Sequence, residues 1–265
     1  MGINETYFNP FNMMDCSMTS TNNSSFSTGF DDFNPFNPSM TSVKPVAEVG
    51  DTFTPELKSQ VDDIIHLADK MEVELKKRHP EGFNLVGIGR SPSFIIELFK
   101  EKGYDAKSCA LSGLMNGEFD IAGRYPYLKQ LNPEDVKAYA QYLDEMGLSA
   151  EKVKASAKPF VFIDYTRTGE SLRAFQSLLG RPEIGIRENV EFLSLNKDLL
   201  PNQTIAEKSL IMKLWENLGI KKFAFVPRLE ISELGRANSI SKGFKPDEIA
   251  LKILEYAKKS IKFIK

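Results

Sequence analysis

Residues 160–171 read Phe-Val-Phe-Ile-Asp-Tyr-Thr-Arg-Thr-Gly-Glu-Ser, and this stretch decides the fold. Its opening residues, 160–163, are apolar without alternation, which is typical of a strand that is covered on both faces of a sheet. A polar turn follows, and the apolar spacing of 170–179 predicts a helix that ends before Gly180. A buried strand joined by a short turn to a helix is the repeating unit of a parallel sheet.

The same strand–turn–helix order recurs on both sides of this stretch. Hydrophobic spacing and caps predict strands over 83–88, 105–111, 160–164, 189–195 and 222–226, and helices over 55–78, 92–102, 132–146, 170–179, 206–218 and 246–262. We therefore predict one α/β domain over 51–265, with a parallel sheet and helices on both faces. Ligands of such folds bind beyond the carboxyl ends of the strands.

Residues 1–50 are of a different kind and are predicted to form a disordered tail. Residues 1–43 contain no Lys or Arg and are rich in Ser, Thr, Asn and Phe, with too few branched aliphatic side chains to support a core. The string Phe-Asn-Pro-Phe-Asn occurs at 8–12 and again at 33–37. Asn-Pro-Phe can form a tight turn that presents a phenylalanine to a partner protein. A chance repeat in a low-complexity tail is the alternative.

The composition excludes several classes of protein. The chain has 34 basic and 36 acidic residues, so its net charge of −2 gives no general sign of nucleic-acid binding. Its two cysteines and two histidines exclude a disulfide scaffold, a four-thiolate zinc site and a site built only of imidazoles. No apolar run approaches the roughly 20 residues that a membrane span needs. We expect a cytoplasmic protein; the alternative is a secreted effector, because the lysine-free start resembles the leaders of proteins exported by syringe-type secretion systems.

Two loops that follow buried strands carry the candidate chemistry. The first reads Gly-Ile-Gly-Arg-Ser-Pro-Ser over 87–93, and the second runs from Asp164 to Ser171. Each places glycine, hydroxyl groups and an arginine at the start of a predicted helix, where free N–H groups and the helix dipole favour an anion. Arginine can also pair with two phosphate oxygens at once. The candidate phosphate-binding residues are Gly89, Arg90, Ser91, Thr166, Arg167, Thr168, Gly169, Glu170 and Ser171.

The second loop resembles the phosphoribosyl pyrophosphate loop of type I phosphoribosyltransferases. That motif is an apolar strand, two acidic residues, a short turn, Thr-Gly and, one residue later, Thr or Ser. The residues that match its second acid and its phosphate-binding positions are Asp164, Thr168, Gly169 and Ser171. The resemblance implies that Asp164 contacts the ribose hydroxyls and a magnesium ion that accompanies pyrophosphate. It also implies that 166–171 cradle the 5′-phosphate and that 89–91 lie at the pyrophosphate.

The same resemblance assigns the segment 113–131 to a mobile catalytic flap. Arg124 and Tyr125 are its candidate catalytic residues, which would close over a substrate, and an exposed loop without that role is the alternative. Two departures from the family bear on the chemistry. Ile163 stands at the first acidic position, and Arg167 stands where some members carry an acid near the nucleobase. The resemblance therefore predicts phosphate binding but leaves nucleobase transfer open.

A second resemblance is to the sugar isomerase (SIS) domains. Gly-Ile-Gly-Arg-Ser at 87–91 is similar to their first loop, and Thr-Arg-Thr-Gly-Glu-Ser at 166–171 is similar to their Ser-x-Ser-Gly-Glu-Thr loop. Both families bind phosphorylated sugars at these positions. The predicted function is therefore binding of a phosphorylated sugar or nucleotide, and a phosphoribosyltransferase-like enzyme is preferred. The alternatives are an SIS-type domain, a non-catalytic sensor and an exported interaction protein.

Overall fold

The computed structural model describes residues 54–112, 131–165, 170–195, 198–199 and 223–263, with the backbone alone for Glu170, Ile231, Lys262 and Phe263. Every described helix and strand belongs to the unit Asp51–Lys265. The helices are α1 (Pro55–Arg78), α2 (Ser93–Glu101), α3 (Pro133–Glu145), α4 (Ala150–Ala155), α5 (Glu170–Leu179), α6 (Ala237–Gly243) and α7 (Glu248–Phe263), and a 3₁₀ helix covers Ile231–Arg236. The strands are β1 (Asn84–Ile88), β2 (Ala106–Cys109), β3 (Phe160–Asp164) and β4 (Val190–Ser194).

Within the described residues, four parallel strands form one sheet in the order β2-β1-β3-β4. The chain therefore moves from β1 outward to β2, returns to the other side of β1 as β3, and continues outward to β4. The predicted α/β class with a parallel sheet is confirmed. Because the direction of winding changes between β1 and β3, the point where ligands bind in such folds lies at the carboxyl ends of these two strands.

Helices cover both faces of the sheet, as predicted. Alternate strand residues point to opposite sides, so Leu85 and Val161 join one hydrophobic cluster while Val86 and Phe162 join the other. Helices α1, α2 and α7 complete the first cluster, and α3, α5 and the 3₁₀ helix complete the second. The helices that follow β1 and β3 therefore leave toward opposite faces, which opens a crevice between the two strand ends.

A glycine allows α2 to lie close against β1. A Cβ at Gly87 would stand 2.5 Å from Cγ1 of Ile96 and 3.0 Å from Cγ of Pro92. Both partners are buried, so a larger side chain at this strand position would push the helix away from the sheet. Gly87 therefore allows α2, which follows the first loop, to pack closely against β1.

The strand predicted over 222–226 is wrong at residues 223–226, which the structure describes. Phe223 and Phe225 pack against Phe94 of α2, with ring centroids 4.6 and 6.1 Å from that of Phe94. The backbone N–H of Phe225 donates to the hydroxyl of Ser93 at 3.1 Å instead of to a neighbouring strand. The alternating aromatic residues therefore pack on a helix and do not extend the sheet.

Several predicted features lie outside the described residues. They are the tail over 1–50 with its Asn-Pro-Phe strings, the flap over 113–131 apart from its last residue, and the helix over 206–218. In the part of the chain that the structure describes, no helix is both long enough and apolar enough to cross a membrane.

Candidate functional site

The candidate site lies where β1 and β3 end side by side. Gly87 pairs with Ile163 across the two strands, so the next residues, Ile88 and Asp164, bring the first and second loops out at one edge of the sheet. The first loop continues into α2 on one face, and the second continues into α5 on the other. The two loops that the sequence identified as carriers of chemistry therefore leave neighbouring strands at the point where the winding reverses.

Gly89 makes the turn out of β1 and lies against the chain that follows β2. Its φ of +70° is in the left-handed region that favours glycine, and its N–H donates to the carbonyl of Cys109 at 2.8 Å. A Cβ at this position would stand 2.5 Å from the carbonyl oxygen of Leu111. The sequence identified Gly89 as part of a phosphate loop, and its position explains why any residue with a Cβ is strained there.

Ser93, a residue that the sequence did not single out, fixes the backbone of the first loop. Its buried hydroxyl donates to the carbonyl of Arg90 at 2.7 Å and accepts the N–H of Phe225 at 3.1 Å. With its proton and one of its two lone pairs engaged, this buried hydroxyl holds the loop in place and has no proton left to donate to a ligand. The hydrogen bond from Ser93 ties the carbonyl of Arg90 to α2. The side chain of Arg90 extends from the loop.

The guanidinium of Arg90 is half-buried, and no hydrogen bond or ion pair joins it to the residues that the structure describes. Burial lowers its pKa, the positive charge of Arg228 lowers it further, and the carboxylate of Glu230 acts in the opposite direction. A guanidinium carries five N–H donors, and leaving them desolvated without acceptors is unfavourable. The position is therefore suited to an anion that would supply those acceptors.

The segment 228–230 lies beside the first loop and contains none of the site residues predicted from the sequence. The N–H of Ser112 donates to the carbonyl of Leu229 at 2.7 Å, and Ser112 forms a parallel bridge with Glu230. Nε of Arg228 contacts a carboxylate oxygen of Glu230. The bridge between Ser112 and Glu230 joins residues that are far apart in the chain, so the sequence held no local signal for it.

Asp164 ends β3 and is a half-buried residue. Burial raises its pKa to about 7, because the charged form is disfavoured away from water. The hydroxyl of Ser171, in the first turn of α5, donates to Oδ2 at 3.3 Å, and the N–H of Tyr165 also donates to the carboxylate; both bonds act to lower the pKa. The group is therefore divided between its neutral and charged forms near pH 7.

The described residues do not form a resident metal site. No group of three or more His, Cys, Asp or Glu side chains is placed to hold an ion in the part of the chain that the structure describes. Magnesium prefers an octahedral set of oxygen ligands and usually combines one or two carboxylates with substrate phosphates. Asp164 alone, with its raised pKa, does not fit a bound magnesium ion in the absence of a phosphate ligand.

The structure describes about half of the predicted site residues. Gly89, Arg90 and Ser91 form the first loop, and Asp164 and Ser171 are joined by a hydrogen bond at the second. Glu170 begins α5, with its backbone alone described. The remaining predicted residues lie outside the described part: Thr166, Arg167, Thr168, Gly169, Arg124 and Tyr125. Their predicted roles stay predictions.

Comparison with known proteins bears on the two resemblances noted in the sequence. Both resemblances are carried by short loops, of which the first is described in full and the second only at its ends. No family model, no curated protein and no solved structure matches the chain.

Proposed function

We propose that this protein binds a phosphorylated sugar at the edge of the sheet between β1 and β3, and that phosphoribosyl pyrophosphate is the ligand class that fits best. The observation that carries the proposal is Arg90, a half-buried guanidinium without a bonded partner among the described residues. It extends from a loop at the point of the fold where ligands bind. A phosphate would neutralise the charge and accept the N–H groups that no described residue accepts.

Asp164 is the residue proposed to recognise the sugar. As a carboxylate it can accept hydrogen bonds from two ribose hydroxyls, and it lies one strand away from the Arg90 loop. Residues 166–171 would cradle the 5′-phosphate at the start of α5, where the helix dipole favours an anion. Magnesium is proposed to arrive only with the pyrophosphate of the ligand, since the described residues do not form a site for it.

A phosphoribosyltransferase-like enzyme is the preferred form of this proposal. Loss of pyrophosphate from the sugar develops positive charge on the ribose, which a nearby carboxylate would stabilise, while Arg90 would stabilise the charge on the departing group. A non-catalytic sensor would bind the same ligand without turnover. Release of pyrophosphate from phosphoribosyl pyrophosphate by the full chain, beyond the uncatalysed rate, separates the enzyme from the sensor.

The burial of Asp164 favours one second candidate, an SIS-type domain that binds a hexose phosphate. A carboxyl group whose pKa is about 7 is partly neutral and can pack against a neighbouring loop instead of meeting a ligand. In that case the sugar would be held by the loop hydroxyls and amides, and replacing Asp164 would change stability without changing ligand affinity. The two candidates differ in the sugar that binds and in the effect of replacing Asp164.

Arg90→Ala is expected to weaken binding of phosphoribosyl pyrophosphate about 10- to 100-fold, because hydrogen bonds to a charged group contribute roughly 1.5–3 kcal/mol. Isothermal titration calorimetry at fixed ionic strength measures the change. The matched control is Arg187→Ala. Arg187 is exposed and lies just before β4, at the opposite end of the sheet, and its guanidinium donates to the carbonyl of Gly180. Equal affinity for wild type and Arg90→Ala would reject the proposed phosphate contact.

A further inference from the structure

Arg228 has donors that its ion pair leaves unused. Only Nε contacts Glu230, and its terminal nitrogens have no bonded partner among the described residues. The Arg228 side chain is 56% exposed, whereas that of Glu230 is 24% exposed. The guanidinium can therefore change partners by rotating its own side chain, without displacement of the backbone.

The backbone that carries Arg228 is fixed beside the first loop. Ser112 holds Leu229 by a hydrogen bond of 2.7 Å, and Leu111, the residue before Ser112, meets Gly89 at the start of the loop. Glu230 is anchored independently, since its N–H donates to Oε2 of Glu233 at 3.1 Å. The two arginines are thus kept near one another by contacts among the first loop, the residues that follow β2 and the segment 228–230.

Glu230 is the described carboxylate that acts on both arginines. Arg90 and Arg228 repel one another, and Glu230 attracts each of them. Of these three side chains two are positive and one is negative, and the next described carboxylate, that of Glu233, accepts the N–H of Glu230. Such an arrangement is stabilised when a second anion joins it, as phosphate groups do at paired arginines.

We propose that Arg228 is a second phosphate-binding residue of the site, that Glu230 holds it in the free protein, and that it selects ligands which carry a diphosphate. This inference rests on the proposed function and deepens it. The phosphate next to Arg90 would take up the terminal nitrogens of Arg228, and Glu230 would lose its contact with Nε. A ligand with a single phosphate at the α5 end of the crevice would not reach Arg228.

The test measures binding of inorganic pyrophosphate and of ribose 5-phosphate to wild type and to variants by calorimetry, at one ionic strength. Arg228→Ala is expected to weaken pyrophosphate binding about ten-fold or more and to leave ribose 5-phosphate within about two-fold. Arg228→Lys should recover part of the loss. Glu230→Gln should strengthen pyrophosphate binding about two- to five-fold, because the partly exposed ion pair between Arg228 and Glu230 no longer competes with the ligand for Arg228. Arg236→Ala, which removes an exposed arginine at the end of the 3₁₀ helix that follows, is the control and should bind like wild type.

The outcomes separate the inference from the proposed function. Unchanged pyrophosphate affinity in Arg228→Ala, together with a loss in Arg90→Ala, would overturn the role of Arg228 and leave the proposed function standing. Equal weakening of both ligands in a variant with an unchanged melting temperature would overturn its selectivity for a diphosphate. If wild type binds neither ligand, the proposed function fails and the inference fails with it.

Discussion

Gly89→Ala is expected to lower the free energy of unfolding by about 2–5 kcal/mol. A non-glycine residue at a φ of +70° carries a cost of roughly 1–2 kcal/mol. The new Cβ would also meet the carbonyl oxygen of Leu111 at 2.5 Å, and that carbonyl is backbone held in place by the hydrogen bond between Ser112 and Leu229. Relief requires the first loop to move, which adds a further cost of roughly 1–3 kcal/mol. Urea unfolding at constant slope measures the change.

Gly103 supplies the matched control for this substitution. It also has a positive φ, of +91°, but a Cβ there would meet nothing within 4 Å. Gly103→Ala should therefore cost only the conformational part, about 1–2 kcal/mol. The difference between the two variants isolates the contact with Leu111. Equal losses at Gly89 and Gly103 would show that the first loop is free to shift and that Arg90 is not held where we place it.

Asp164→Asn is expected to stabilise the protein above pH 7, by about 1–3 kcal/mol. The native pKa is about 7 and the value without burial is 3.8, so between these pH values the native state holds a proton that the unfolded chain has lost. Stability of the wild type should therefore fall as pH rises from about 4 to about 7. The full difference corresponds to up to about 4 kcal/mol, and half-burial of the side chain reduces it. Asparagine has no such charge and removes this loss.

Thermal and urea unfolding of both proteins between pH 4 and pH 8 measure the effect. The difference in free energy of unfolding between Asp164→Asn and wild type should grow with pH and level off above pH 7. The control is Asp63→Asn, an exposed position on α1, which should give parallel curves. Parallel curves for Asp164→Asn as well would mean that the carboxyl group is ionised freely and is not buried at the end of β3.

A carboxyl group that costs stability at neutral pH calls for a functional explanation. Asparagine would fill the same volume and keep an acceptor for Ser171, so packing alone does not require an acid at position 164. Proteins retain such locally unfavourable residues mainly at functional sites, where activity conflicts with stability. The substitution that stabilises the fold is therefore expected to be the one that weakens ligand binding.

Local sequence patterns predicted the elements around the site well. The strand over 160–164 and the helix over 170–179 have the predicted bounds, because an unbroken apolar run and a following amphipathic segment ending at Gly180 leave few alternatives. The helix over 55–78 is also as predicted, with Thr54 accepting the N–H of Leu57 at its start. Hydrophobic periodicity and helix caps are local features of the sequence, and the structure forms the elements that they predict.

Long-range contacts account for the features that the sequence did not reveal. The segment at 223–226 has the apolar residues of a strand, but it packs against Phe94 and Ser93 of α2 instead, which lie about 130 positions earlier in the chain. Arg90 and Arg228 lie near one another because Ser112 forms a bridge with Glu230. Ser112 and Glu230 are far apart in the chain. No local pattern encodes such a contact, so the second arginine was missed.

Calorimetric titration of wild type and Asp164→Asn with phosphoribosyl pyrophosphate and with a hexose phosphate, at pH 8, tests the proposed ribose site most directly. At this pH the carboxyl of Asp164 is mostly ionised and can accept ribose hydroxyls. We expect wild type to bind phosphoribosyl pyrophosphate in preference to the hexose phosphate, and we expect Asp164→Asn to bind it about 10- to 100-fold more weakly. The proposed ribose site would be contradicted by unchanged affinity for phosphoribosyl pyrophosphate in Asp164→Asn, or by tighter binding of the hexose phosphate to wild type.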